Sequence, residues 1–405
     1  MNLLAAGLAA LLVGACAGEP RADTTLVISS DPELREMVAG LLPDLARRSG
    51  LELRAPVRVE RRSREELERY LVTKLDEEMS LEHEDLLGRS YALLGLMPAD
   101  MDLRALLLSV YTEQVAGFYD PDSTALFVLD DQPAATLVPL LVHELVHAVQ
   151  DQSANLDSLT NKDRGNDRTT AAQAAIEGHA TLVMLEHMME EIQGQAVDFS
   201  EMPDFAGQLR PALQAVRGQY PALAAAPRVI QESILFPYLE GAGFVQALWT
   251  SDAKHPTPFE KWLPQSSEQV LDPSRLLGPV RDAPTDVSLT LEGASILYGD
   301  ALGQFETVLL LEELVGPDAG AAARGWDGDR YALVDVDGAD ALVWVSVWDD
   351  TEARDGFVAA LTPSLGRLSP AGVLERTTVA GRPVAVLRVG YAGAVGVTLD
   401  EGATW

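Results

Sequence analysis

One run constrains this chain more than any other: PLLVHELVHAVQDQ, residues 139–152. Leu141, Val142, Leu145, Val146 and Val149 supply apolar faces that seat a helix in a core. On that helix His143 and His147 are one turn apart and differ by about 40° around the axis, so both imidazoles point the same way. Two ring nitrogens so placed can meet one Zn²⁺ at ~2.0–2.1 Å. Glu144 lies about 100° from His143, near enough to reach a water at the metal without being a ligand itself.

A catalytic zinc takes three protein ligands and keeps one position open. The next long helical segment offers Glu177, His179 and His187. Glu177 and His179 are separated by about 200° and cannot both face one ion, and His187 is about 15 Å further along the axis than Glu177. Gly178 beside Glu177 would let the two helices approach closely, and Ala174, Ala180 and Thr181 widen that opening. Asp151, four residues after His147, is either an orienting partner for that ring or a solvated carboxylate at the helix end.

HExxH followed by a helix bearing E-G-x-A (Glu177-Gly178-His179-Ala180) resembles the gluzincin class of zinc metallopeptidases, and the resemblance implies Glu177 as the third ligand. The longer HExxHxxGxxH pattern is absent, because Gln150 and Ser153 stand where its glycine and third histidine would be. Further strings are similar to a group of bacterial secreted or lipid-anchored metallopeptidases. They are EQVAGFYDPDSTALFVLDD at 113–131, IEGHAT, ESILFPYLEG at 232–241 and AARGWDGDRY at 322–331. The resemblance implies that Ala125 to Leu129 forms the rim of the cleft and pairs with an extended peptide. The alternative is a hairpin that only covers the core. Peptide hydrolysis also needs a donor for the developing oxyanion. Arg330 is the first choice, with Tyr331, Tyr298 and Tyr238 the other candidates, and an Asp329–Arg330 ion-pair turn is the competing role for Arg330. His83 and His255 read as surface residues, and Trp344 and Trp348 as strand packing.

The chain has 405 residues, 30 Lys+Arg against 62 Asp+Glu, a formal charge of −32 and a pI near 4.4. Nucleic-acid binding needs a basic footprint and is excluded, as is electrostatic docking on anionic lipid. The one cysteine, Cys16, rules out an internal disulfide or a cysteine-built metal site. It follows an apolar run, Leu3 to Val13, of signal-peptide length, and Val13-Gly14-Ala15-Cys16 resembles the bacterial lipobox. The resemblance implies a leader at 1–15, an acylated Cys16 and a tether to residue 30, with the protein exported to the bacterial cell envelope and lipid-anchored there.

Pattern and capping signals predict helices beginning at Asp31-Pro32 and at a Ser63–Glu66 capping box, and others over 86–96, 101–112, 137–152, 169–191 and 230–249. A β-like run at Val57 to Val59, a hairpin at 117–129 and alternating strands from Ala341 onward complete the map. The expected fold is α+β: a mainly helical, zincin-like catalytic domain over 31–337 with a hairpin before the motif helix, then a small α/β segment over 338–405. The functional expectation is a zinc metallopeptidase with one catalytic Zn²⁺ on His143, His147 and Glu177, Glu144 as base, and a peptide or protein substrate. A non-catalytic envelope binding or assembly lipoprotein with a structural or vestigial zinc site is the alternative.

Overall fold

The computed structural model describes residues 23–400 apart from 79, 203 and 204. Cys16 and the leader expected at 1–15 lie outside the described residues. The chain is mixed α+β. Its first half is a small sheet with helices around it. β1 (Val27–Ile28), α1 (Pro32–Ser49) and β2 (Val57–Arg62) form a parallel βαβ unit. The Asp31 carboxylate caps α1 by accepting from Glu33 N and Leu34 N, with Pro32 at the first helical position. The Ser63–Glu66 capping box forms as read: Glu66 N donates to Ser63 Oγ and Ser63 N to Glu66 Oε2, opening α2 (Arg64–Glu78). α3 (Leu81–Leu93) and α4 (Leu103–Gln114) follow, then the hairpin of β3 (Gly117–Asp120) and β4 (Ala125–Leu129).

Strand order in this sheet is β1-β2-β4-β3, with β1, β2 and β4 parallel and β3 antiparallel at one edge. The expectation that Ala125–Leu129 is the rim strand is corrected here. β4 has both edges occupied, Val59 facing Leu126 on one side and Phe118 facing Phe127 on the other, so it has no unpaired backbone to offer. The edge strand on that side is β3, whose residues are buried.

α5 (Ala134–Ala154) lies against β3 and β4, α6 (Asn166–Gln193) packs on α5, α8 (Arg228–Ser251) on α6, and α7 (Phe205–Arg217) on α8. Gly178 does permit a close helix approach, but its neighbour is α8 and not the motif helix. A Cβ on Gly178 would stand 2.1 Å from the backbone carbon of Gly241, and one on Gly241 2.1 Å from the Ala174 oxygen. Only a glycine facing a glycine or alanine allows that contact.

The C-terminal part is a five-stranded antiparallel sheet of β6 (Ser295–Asp300), β7 (Trp326–Val336), β8 (Ala339–Trp348), β10 (Arg382–Val389) and β9 (Gly372–Val379), in the order β6-β7-β8-β10-β9. β5 (Asp286–Leu291) pairs separately with β11 (Val395–Asp400). Side chains alternate between two cores, as a sheet buried on both faces requires. Leu342, Trp344 and Trp348 join the main core with Phe357 of α10 (Thr351–Leu361), whereas Val343, Val345 and Val347 join Val287 and the β5–β11 pair. The boundary expected at 337/338 therefore falls in the tight turn of the β7–β8 hairpin and splits a sheet that already begins at Ser295. α9 (Gly303–Leu314) packs against β7 of this sheet and against α8, where Phe305 meets Phe236. Its N-terminus is held by Asp329, which accepts from Leu302 N at 2.9 Å, Gly303 N at 3.0 Å and Trp344 Nε1 at 2.6 Å.

Candidate metal centre and cleft

His143, Glu144 and His147 stand on the buried face of α5, and Glu177 on the facing turn of α6, all four buried. Three ligand atoms converge. His143 Nε2 is 3.0 Å from Glu177 Oε2, His147 Nε2 is 3.0 Å from His143 Nε2, and His147 Nε2 is 3.4 Å from Glu177 Oε2. Bonds of ~2.0–2.1 Å to a tetrahedral ion give edges of roughly 3.3 Å, so the triangle fits one zinc. Glu177 Oε1 and His143 Nδ1 are buried with no partner among the described residues.

The tautomer of His147 follows from its neighbours. Gln150 Nε2 donates to the Ile176 carbonyl at 3.0 Å, which turns Gln150 Oε1 toward His147 Nδ1 at 2.8 Å. Nδ1 then carries the proton and Nε2 presents its lone pair to the triangle. Gln150 Nε2 also lies 3.0 Å from His179 Nδ1, so His179 supports the amide that orients a ligand and is not a ligand itself. Burial holds the His179 ring neutral, its pKa lowered to about 3. The carboxylate named for orienting His147, Asp151, has other partners: it accepts from Tyr119 Oη at 2.9 Å and from Leu156 N at 2.9 Å. On α5 the residue three beyond His147, not four, points at its ring. His187 is remote from the centre, with Nδ1 2.9 Å from Asp44 Oδ2.

Glu144 is held from the sheet. Tyr119 N, on the β3 edge, donates to Glu144 Oε2 at 2.7 Å, and Glu144 Oε1 has no partner among the described residues. Burial, helped by the Glu177 charge, pushes the Glu144 carboxyl up to about 8. Burial works to raise Glu177 as well, yet His147 and His143 hold it well below the usual carboxylate range.

Glu177 also lines a cavity of about 280 Å³ with Tyr238, whose ring centroid is 5.9 Å from that of His143. Arg330 is not in it. This side chain is exposed, donates to the Gly299 carbonyl at 2.9 Å and borders a separate depression with Asp286 and Gly328. The reason is strand alternation: Tyr331 faces the main core, which turns Arg330 the other way. Asp329 caps α9, so the Asp329–Arg330 turn pair is absent too. Tyr331 is buried in the core, whereas Tyr298 and Tyr238 reach the cavity. His83 is half-buried at its wall, 4.9 Å from the Tyr298 ring, and not a plain surface residue. Gln150 was within reach of the sequence, being one helical turn from His147. Tyr238 is one of the tyrosines expected as an oxyanion donor, whereas Tyr119 carries no local signal, since only the tertiary fold brings it to α5.

A second carboxylate group, Asp282, Asp327 and Asp349, has the spacing to hold an ion. Arg275 pairs with Asp282 and Asp349, and Arg382 with Asp327, so its charge is already answered by guanidinium groups.

A family model described as a domain of unknown function, DUF8575, matches residues 296–404. That span coincides with the C-terminal sheet and leaves the His143–His147–Glu177 centre outside. No curated protein and no solved structure matches the chain.

Proposed function

We propose that the chain is a zinc metallopeptidase of gluzincin type with a zincin-like core, exported and lipid-anchored through Cys16. The observation that carries this reading is Glu144: a buried carboxylate beside three convergent ligand atoms, one oxygen pinned by Tyr119 N–H and the other without a partner. A binding lipoprotein with a structural zinc site has no use for such a group, and burying it unpaired is costly.

His143 Nε2, His147 Nε2 and Glu177 Oε2 would hold the ion. When bound, zinc supplies a Lewis acid that polarises the scissile carbonyl and acidifies the attacking water. Glu144 Oε1 accepts the proton from that water and returns it to the departing amine, while the Tyr119 N–H keeps the carboxylate aimed. Gln150 keeps His147 Nδ1 protonated and its Nε2 free to ligate. Tyr238 takes the oxyanion-donor role in place of Arg330, because it shares the cavity with Glu177 and lies against His143.

The test is a peptide-library digest with wild type and Glu144→Gln, both assayed for zinc. The variant is expected to keep one zinc per chain and to lose roughly 10²–10⁴-fold in kcat/KM. Equal cleavage by both forms, or no zinc in the wild type, overturns the reading. For the anchor, fatty-acid labelling in a bacterial host should vanish in Cys16→Ala.

A further inference from the structure

The cavity that begins at Glu177 does not end near the metal centre. Asn166, Thr169, Thr170, Gln173 and Glu177 line it from successive turns of one face of α6, so it runs some eleven residues, roughly 16 Å, along that helix. Its walls between the ends are largely apolar, with Leu87, Leu103, Leu107, Ile230 and Ile234. The end away from the metal centre is polar and acidic. There Glu306 of α9 accepts through Oε1 from Tyr91 Oη at 2.8 Å and Asn166 Nδ2 at 2.9 Å, while its Oε2 has no partner among the described residues. Glu306 is 4% exposed.

A carboxyl at the end of an apolar chamber, half its hydrogen-bonding capacity unused, is costly unless something completes it. The surrounding groups decide what. Asp300 lies beside it at the cavity wall, and Asp329 behind it adds to the negative field. Lys162 and His83 also line this end, but among the described residues no lysine, arginine or histidine pairs with Glu306. A ligand carboxylate would meet the negative field of Asp300 and Asp329. A metal ion is disfavoured because Glu306 belongs to neither of the groups able to supply three ligand atoms. An ammonium satisfies the orphan oxygen and the field together. Burial and the neighbouring carboxylates push the Glu306 carboxyl up to about 8, as expected of an acid held without its counter-charge.

We propose that Glu306, with Asp300, forms a recognition site for a primary ammonium group at the far end of the cleft, borne on a short apolar segment that reaches toward the His143–His147–Glu177 centre. A cavity of about 280 Å³ has room for a few residues only, so as a substrate site it selects peptides with a free amino group close to the scissile bond, either the chain terminus or a lysine side chain. Naming it a substrate site rests on the peptidase reading; the ammonium site itself does not.

The experiment therefore separates binding from turnover. Calorimetry of 4-phenylbutylamine and of 4-phenylbutanol, its neutral counterpart, with wild type and Glu306→Gln reads the site directly. Wild type should bind the amine at least about tenfold more tightly than the alcohol, and Glu306→Gln should abolish that preference. Equal binding of the two probes to wild type overturns the proposal whether or not the variant folds, and so does a folded variant that keeps the preference. In parallel, apolar peptides with a free terminus, an acetylated terminus, or an acetylated terminus plus one lysine are offered to wild type. Cleavage confined to the first assigns the ammonium to the chain terminus, and cleavage of the first and third admits the lysine. Cleavage indifferent to all three changes overturns the substrate role of the site and leaves the peptidase reading standing. Amine binding that needs Glu306, with no cleavage of any peptide, removes the peptidase reading and leaves the ammonium site.

Discussion

Each side chain at the centre is placed by one neighbour, and substitutions separate those roles. Glu177→Ala leaves two imidazoles and should release zinc or bind it far more weakly. Gln150→Ala removes the acceptor that keeps His147 Nδ1 protonated, so zinc affinity should fall about 10–100-fold while stoichiometry at excess metal survives. His179→Ala acts one contact further out, through Gln150, and should cost less than Gln150→Ala on the same chelator titration. If His179→Ala loses zinc while Glu177→Ala keeps it, the ligand set is wrong. The sequence made much of this legible, because His143, Glu144 and His147 are related by helical period alone. Asp151 drew attention as a carboxylate although Gln150 is the residue on the right face. Arg330 drew attention as a charge, although the alternation that buries Tyr331 turns it away from the cleft. Tyr238 was legible only as one of several candidate donors, and Tyr119 had no such handle.

Among the elements, the contact between α6 and α8 sets where Glu177 sits. Gly178→Ala would put a methyl 2.1 Å from the Gly241 backbone, so the helices must part. The expected cost is about 1–3 kcal/mol in stability, with weaker zinc binding because Glu177 is the adjacent residue. Gly40→Ala on α1 is the control. Nothing lies within 4 Å of its Cβ, and the position is exposed, so it should stabilise by about 0.4–1 kcal/mol and leave zinc binding alone. Equal effects of the two on melting temperature would mean that helix contact does not position the ligand. Helices and caps were readable here because their signals are local, as at Asp31 and Ser63. Which helix would face Gly178 was not, since a glycine announces a close approach without naming its partner. The boundary at 338 failed for a similar reason: Asp337-Gly338 is polar turn chemistry, and a hairpin turn and a linker look alike until the strands on either side are seen to pair.

Over the whole molecule, a formal charge of −32 coexists with carboxyls whose burial outweighs their neighbours' charge, Glu268 among them although Arg275 Nη2 lies 3.6 Å from it. Burial raises Glu268 to about 9, Glu306 to about 8, and Asp167 and Glu186 to about 7. Their values in the unfolded chain are about 4. The folded state therefore binds more protons than the unfolded state between about pH 4 and 9, and stability falls as pH rises through that window. The slope is at most about 1.4 kcal/mol per pH unit for each proton of difference. Asp44 acts oppositely. Burial would raise it, but His187, Arg48 and Arg47 hold it well below its usual range, so its contribution is present above about pH 4 and lost in acid. The maximum of stability is expected on the acid side of neutrality, with the denaturant midpoint declining from pH 6 to 9. Surface carboxylates cannot produce that decline, because they are already ionised at pH 6. Their mutual repulsion is screened by salt, whereas buried groups are screened much less. Added salt should thus lift the whole curve and leave its slope above pH 6, while Glu268→Gln should flatten the slope in either buffer. A midpoint that rises from pH 6 to 9, or a slope that salt removes, would show that these carboxyls are ionised and solvated in the folded protein.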